Sequence, residues 1–257
     1  MVPGAGNMSS TALNAVAVAL GLLRASGAVA QDPAAAPSIS DNSFLIEEAY
    51  NQEPHVVQHI SGLQLFRDAD SWMYTFTQEW PLFGQKNQLS YTLPIARLRN
   101  GIGSATGVGD VAVNYRYQLV AADRLAVAPR LSVLLPTASF RSGAGELGMQ
   151  FNLPVSVTIT RQLVTHWNAG TTFTPSARTV YNLGASAIWL VRPAFNALVE
   201  VVWLGAASGD ELIVSPGIRW AYNLRNGLQI VPGLAYAFDV GPFVYLSFEH
   251  PFGHTGP

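Results

Sequence analysis

Between Glu146 and Thr160 apolar and polar residues alternate almost without a fault. Leu147, Met149, Phe151, Leu153, Val155, Val157 and Ile159 fall on one side. Gly148, Gln150, Asn152, Pro154, Ser156, Thr158 and Thr160 fall on the other. Successive side chains of an extended strand point to opposite faces, so a period of two makes a ribbon with one apolar and one polar face. The stretch exceeds the roughly five to six residues of an ordinary soluble strand. It suits the roughly 9–11 residues that cross a bilayer at a tilt. Similar beats, joined by turns, fill the last two-thirds of the 257-residue chain, which is the pattern of a transmembrane β-barrel.

Composition supports this reading. Charged residues make up 12% of the chain, about half the roughly 25% of a soluble domain. Hydrophobic residues make up 49%, yet no apolar run approaches the roughly 18 residues of a spanning helix. The apolar residues must therefore be spread along the chain, and alternation spreads them. A net charge of −2 argues against a nucleic-acid partner. With no cysteine, a disulfide framework, a thiolate metal site and thiol catalysis are excluded.

The first thirty residues read as an export signal. Ala12–Leu23 is a short apolar stretch, and Ala28-Val29-Ala30 offers a small-residue cleavage site before Gln31. No basic side chain precedes the apolar stretch, a departure from the usual pattern. The expected organisation is a signal peptide over 1–30, a periplasmic leader or short plug over 31–55, an outer-membrane barrel over 56–252 and a tail over 253–257. Within the leader, residues 31–43 are rich in Ala, Pro and Ser and read as disordered. Phe44–Pro54 is more structured in character. It could tuck into the barrel mouth, with Glu47, Glu48, Tyr50 and Glu53 as plug residues, although a periplasmic tail is the slightly favoured reading.

Twelve strands are expected: Val56–Phe66, Trp72–Trp80, Gln88–Ala96, Asp110–Leu119, Arg124–Pro136, Glu146–Thr160, Gln162–Phe173, Val180–Leu190, Ala194–Trp203, Glu211–Tyr222, Gly227–Phe238 and Phe243–Phe252. An even count of antiparallel strands is what bacterial single-chain barrels use. The fold class is thus all-β, an up-and-down antiparallel barrel. Short turns (Val120–Asp123, Thr160–Arg161, Leu190–Pro193, Tyr222–Asn226) alternate with looser connections (Arg97–Gly109, Thr137–Gly145, Thr174–Thr179, Gly205–Asp210, Asp239–Pro242). Pro94, Pro129, Pro154, Pro216 and Pro232 fall within strands, where they imply bulges or breaks. Aromatic residues gather near strand ends, as in interfacial girdles.

If the apolar faces meet lipid, the opposite faces line the lumen. An arginine on the lipid face at mid-depth would cost about 2–4 kcal/mol. The alternation therefore turns Glu79, Asp110, Asn114, Arg116, Arg130, Glu146, His166, Glu200 and Arg219 inward. These groups could knit the lumen together through ion pairs, or form a polar constriction that selects what passes. Enzymatic readings are weak. Ser156, Ser186, His166 and Asn168 share the inward side, but no nucleophile motif surrounds them, and the histidines lack a metal-ligand spacing. No catalytic residue, cofactor or metal is expected. Gly101–Asp110 is glycine-rich but has no helix after it to hold a phosphate, and is expected to be an outer loop.

Three segments carry a family resemblance: FLIEEAYNQEPHVVQHI at Phe44–Ile60, TFTQEWPLFGQKNQLSYTLP at Thr75–Pro94 and GVGDVAVNYRYQL at Gly107–Leu119. Together they resemble the outer-membrane family named for the meta-pathway of phenol degradation, whose members are labelled transporters. The positions that share its motifs are Glu47, Glu48, Tyr50, Asn51 and Gln52, with Asp110, Asn114 and Arg116. The resemblance implies an outer-membrane barrel passing small hydrophobic or aromatic molecules, and offers no catalytic residues. The expected function is a channel or transporter. Its expected partners are a small-molecule solute, outer-membrane lipid and lipopolysaccharide, and the outer-membrane assembly machinery during biogenesis. The rivals are a structural or plugged barrel without transport, a lipid-modifying enzyme and a soluble secreted sandwich.

Overall fold

A computed structural model describes residue 39 and residues 43–67, 70–99, 103–139, 145–175, 179–207, 209–224 and 227–252. The expected signal peptide, most of the leader before Ser43, the tail over 253–257 and several loop tips lie outside the described residues. Twelve strands form the wall. They are β1 (Val56–Leu65), β2 (Trp72–Pro81), β3 (Asn87–Arg99), β4 (Ser104–Val108, Val111–Tyr117 and Val120–Ala122) and β5 (Leu125–Val127 and Arg130–Leu135). β6 (Gly148–Thr158), β7 (Leu163–Phe173), β8 (Val180–Arg192) and β9 (Phe195–Ala206) follow. β10 (Gly209–Trp220 with Tyr222–Asn223), β11 (Gln229–Ala237) and β12 (Gly241–Pro251) complete the ring.

Each strand pairs antiparallel with its neighbours in sequence. The ring closes where β1 meets β12, from Val56↔Pro251 to Gln64↔Phe243. The fold is therefore all-β, a closed twelve-stranded antiparallel barrel, as the alternation implies. Closure leaves no edge strand unpaired, which is the condition a sheet must meet to cross hydrocarbon, where no hydrogen bonds are on offer. The even count returns the start of β1 and the end of β12 to one rim.

The two faces separate as the period of two requires. On β6, Met149 and Phe151 are exposed outward, whereas Gly148, Asn152, Pro154 and Ser156 are buried inside. The same parity buries Gln88 and Ser90 on β3, Asn114 and Arg116 on β4, His166 and Asn168 on β7, and Glu200 on β9. The interior of this protein is polar and its exterior apolar.

The prolines sit where the ladder is interrupted. Pro94 faces a one-residue shift in β4. Thr92 pairs with Ala112, yet Ile95 pairs with Val108, and Gly109 N–H reaches the Pro94 carbonyl at 2.8 Å. Pro129 falls in the gap of β5, and Pro154 on β6 lies beside that gap. Pro216 lies just beyond the last pair of the short β10–β11 ladder, Gly217↔Ala235, while Pro232 stands opposite Trp220, in the interval between Arg219↔Gly233 and Tyr222↔Ile230. Proline has no N–H to give, so the facing strand is released at each point.

Two loop expectations need correction. Gly101–Asp110 is not a loop throughout, because Ser104–Val108 pairs with Ile95–Arg99 and extends the β3–β4 hairpin. Its glycines hid a pattern that hydrogen bonding to β3 stabilises. Gly205–Asp210 is likewise a tight hairpin, with pairing that runs to Ala206↔Gly209. Gly209 adopts φ 137°, which is open to glycine and strained for other residues.

The wall can be tested by charge insertion. Leu153→Arg, at mid-height of β6, is expected to weaken refolding into liposomes by about 2–4 kcal/mol, and Leu212→Arg near the rim by about 0–1 kcal/mol. Denaturant titration of refolding measures both.

Candidate functional site in the barrel lumen

Residues 43–52 run inside the ring as irregular backbone. Such a segment has no strand partner, yet its buried N–H and C=O groups still need partners. The inward side chains provide them. Glu200 Oε1 accepts the N–H of Phe44, Leu45 and Ile46 at 2.9, 2.8 and 3.0 Å. Three successive amides converging on one carboxylate form an anion nest. Glu200 is fully buried, and Arg219 on the adjacent strand, also fully buried, acts on it electrostatically.

The other side chains repeat the theme. Asn168 imitates a ladder partner, accepting Glu47 N–H at 2.9 Å and donating to the Glu47 carbonyl at 2.8 Å. Ser156 Oγ accepts Ala49 N–H at 2.8 Å. Gln118 accepts Asn51 N–H at 2.8 Å and donates to the Ala49 carbonyl at 2.6 Å. Gln88 accepts Gln52 N–H at 2.6 Å and donates to Glu79 at 2.7 Å. Arg116, paired with Gln88 across β3 and β4, also grips the segment, donating to the carbonyls of Glu48 (3.1 Å) and Tyr50 (2.6 Å), to Asn51 Oδ1 (2.8 Å) and to Gln88 (3.0 Å). Glu47 closes an ion pair with Arg130 at 2.8 Å and accepts from Asn152 at 2.9 Å.

Glycines make room for the segment's apolar side chains. Gly217 on β10 and Gly233 on β11 face the Phe44 ring; a Cβ at either would come within 2.7 and 2.6 Å of it. A Cβ at Gly184 on β8 would strike Ile46. Phe44 also packs on Phe243 and Tyr245, with ring centroids 5.6 and 5.1 Å apart. These sockets fix the height and rotation of the segment in the lumen.

The segment leaves a cavity of about 190 Å³ between itself and strands β1–β5 and β12. One wall carries Thr75, Thr77, Ser90, Thr92 and Asn114, with Glu79, Arg116 and Arg130 beside them. Next to them, on β1 and β12, stand Ile60, Phe243 and Tyr245, with Ile60 directly paired to Thr77. A hydroxyl-lined stretch thus adjoins an aromatic one.

Of the residues singled out in the sequence, Glu79, Asn114, Arg116, Arg130, His166, Glu200 and Arg219 lie on inward faces, and Glu47, Glu48 and Tyr50 lie within the segment. Asp110 and Glu146 lie towards the rim opposite the termini. Asp110 sits in the β4 shift and accepts Ala138 N–H at 3.1 Å, and Glu146 precedes β6. Glu53 is exposed in the turn before β1. His166 Nδ1 meets Ser156 Oγ at 2.7 Å. This Ser–His pair is buried in the lumen, not on the lipid-facing surface, and Ala49 N–H already occupies its oxygen. Among the described residues no group of three or more His, Cys, Asp or Glu could hold a metal. Sequence reading passed over Gln88, Gln118, Asn168, Ser156 and the glycine sockets as partners of the segment. Their signal was weak but present, in amides, hydroxyls and glycines recurring on the inward parity of long strands.

No known protein family matches the chain, and no curated protein sequence matches it. The resemblance to the phenol-degradation family therefore gains no support from these comparisons. Solved structures do match. The chain is similar to the KdgM porin, with 11% identity, TM-score 0.54, and coverage of 77% of this chain and 99% of that one. It is also similar to an outer membrane channel from Pseudomonas putida F1, with 13% identity, TM-score 0.53, and coverage of 79% and 98%. The NanC porin follows with 10% identity, TM-score 0.51, and coverage of 77% and 100%. At such identities the likeness is one of fold: a β-barrel resembling bacterial outer-membrane channels, among neighbours that are porins and channels rather than enzymes.

The grip on the segment is open to measurement. The chain has no cysteine, so Leu45→Cys reports access to residue 45 alone. Hydrogen bonds to a charged group contribute about 1.5–3 kcal/mol each, and 1.4 kcal/mol is about tenfold in an equilibrium. Glu200→Ala is expected to speed maleimide labelling of that cysteine by roughly tenfold or more. Gly217→Val is expected to do the same by evicting Phe44.

Proposed function

We propose that this chain is an outer-membrane channel for small molecules whose lumen is gated by its own residues 43–52. The observation that carries this reading is the capture of the segment's backbone by side chains of the wall. Seven N–H groups between Phe44 and Gln52 are accepted by five different wall residues. A barrel that needed only to anchor something in the membrane could fill its lumen with wall side chains, as narrow barrels do. Here the filling is a tethered peptide that enters from the terminal rim, and a tethered peptide can leave.

Small hydrophobic or aromatic solutes are the favoured cargo. The resemblance of Phe44–Ile60, Thr75–Pro94 and Gly107–Leu119 supports this, as do the aromatic side chains that lie beside hydroxyl groups in the cavity lining. A ring carrying a polar substituent would find a face and a hydrogen-bonding partner there. Transport is passive in this reading, and the export signal and outer-membrane location belong to it. The KdgM porin has been solved in complex with disordered oligogalacturonate, which is a statement about that porin.

Planar-bilayer recording tests the proposal. The intact barrel is expected to show rare, small current steps, and deletion of residues 44–54 is expected to give long-lived larger ones. In the deletion background, Arg116→Gln with Arg130→Gln is expected to shift the reversal potential in a salt gradient towards cation preference. A deletion variant that folds, by heat-modifiable gel mobility, yet never conducts would overturn the channel reading in favour of a structural barrel.

A further inference from the structure

Among the described residues, basic side chains divide among three places. Arg116, Arg130 and Arg219 are inward. Lys86, Arg124, Arg161 and Arg192 lie at or beside turns of the terminal rim. A third group, Arg67, Arg97 and Arg99, faces outward at the opposite rim. On β3, Gln88, Ser90 and Thr92 line the cavity, so alternation turns Tyr91, Ile95, Arg97 and Arg99 to the outside. The β2–β3 register is unbroken from Pro81↔Gln88 to Trp72↔Arg97, so no bulge reverses that parity. Arg67 follows Leu65 by two residues, and its N–H reaches the Val240 carbonyl at 2.9 Å, which continues the β1–β12 register outward.

These three arginines crown an apolar column. Leu65, Trp72 and Arg97 lie in one row across β1, β2 and β3, with Leu63, Tyr74 and Ile95 in the row beneath. Same-face neighbours along a strand are roughly 7 Å apart and adjoining strands about 4.8 Å apart. The guanidinium groups are thus close enough to serve one headgroup. Arginine on a lipid-facing surface is costly at mid-depth and cheap at the interface, which places this row at the membrane border. Acids pair with them in solvent. Arg67 meets Asp239 at 3.2 Å and Arg99 meets Asp70 at 3.9 Å, and all four side chains are at least half exposed. Exposed pairs of that kind contribute little and yield to a stronger anion. Among the described residues no other basic side chain lies at this rim. The outward positions at the ends of β6, β7, β10 and β11 are without basic side chains: Met149, Phe173, Leu212 and Tyr236 stand there, with the acidic Asp210 beyond Leu212.

We propose that Arg67, Arg97 and Arg99 form a docking site for the phosphate groups of an outer-leaflet glycolipid, with Leu65, Trp72 and Tyr74 against its acyl chains. Guanidinium groups match phosphate oxygens in bidentate geometry. The continuity of the basic row with a lipid-facing apolar column favours a lipid headgroup over a free anion. The inference rests on the outer-membrane location and not on transport.

The test uses the refolded full-length barrel in detergent, titrated with a diphosphorylated lipopolysaccharide and followed by native mass spectrometry. The wild type is expected to retain the glycolipid, and Arg67→Gln/Arg97→Gln/Arg99→Gln to bind it at least tenfold more weakly. Arg161→Gln/Arg192→Gln, at the opposite rim, is expected to bind like the wild type. Where the triple variant fails to show heat-modifiable folding, Arg97→Gln alone is used, with a loss of at least threefold expected. Equal binding by the basic-row variant, or by a dephosphorylated glycolipid, overturns the proposal. So does inorganic phosphate displacing the glycolipid at equal concentration, which would mark a site for soluble anions. Bilayer currents of the same variants should match the wild type, so a failure here is separable from a failure of the channel reading.

Discussion

Every feature of this barrel follows from the cost of an unpaired backbone amide. On the apolar outer face that cost is met by closing the sheet, which leaves no open edge. Twelve strands close with the start of β1 and the end of β12 on one rim, through the β1–β12 pairing. The same requirement governs the prolines, each of which removes one ladder donor and stands at or beside a shift or gap.

On the lumen side the same cost takes a different form. Residues 43–52 are irregular and buried, so their amides must be matched by side chains. Glu200, Asn168, Gln118 and Gln88 act as surrogate backbone, and Arg116 covers carbonyls that would otherwise be bare. The inward charges are thus engaged with the segment and with one another. A wall built this way is incomplete without its occupant: removing the segment would leave a carboxylate, several amides and a guanidinium to water. Water can replace those bonds at modest net cost.

Much of the barrel was legible in the residues. The alternation at Leu147–Thr160 places Asn152, Ser156 and their neighbours inside without any coordinates, and the strand count follows from the spacing of turns. The Gly101–Asp110 stretch misled, because glycine dilutes the beat that marks a strand; pairing to Ile95–Arg99 restores it. The segment at Phe44–Gln52 was ambiguous for a deeper reason. Its residues have no period, and whether it lies inside depends on partners 36 to 156 residues away along the chain.

The residues by themselves determine the fold class, the approximate register and the sidedness of each strand, since all three follow from local periodicity against two solvents, lipid and water. Only the tertiary structure decided what the inward residues do. Glu200 could have been a pore charge, a partner of Arg219 or a nest for a peptide, and its sequence neighbours Val199 and Val201 say nothing on the matter. The choice is made by closure of the ring, which brings β9 and β10 around Phe44 and lets Gly217 and Gly233 receive its side chain. Contacts of that range depend on how distant strands meet across the lumen, which no local pattern encodes.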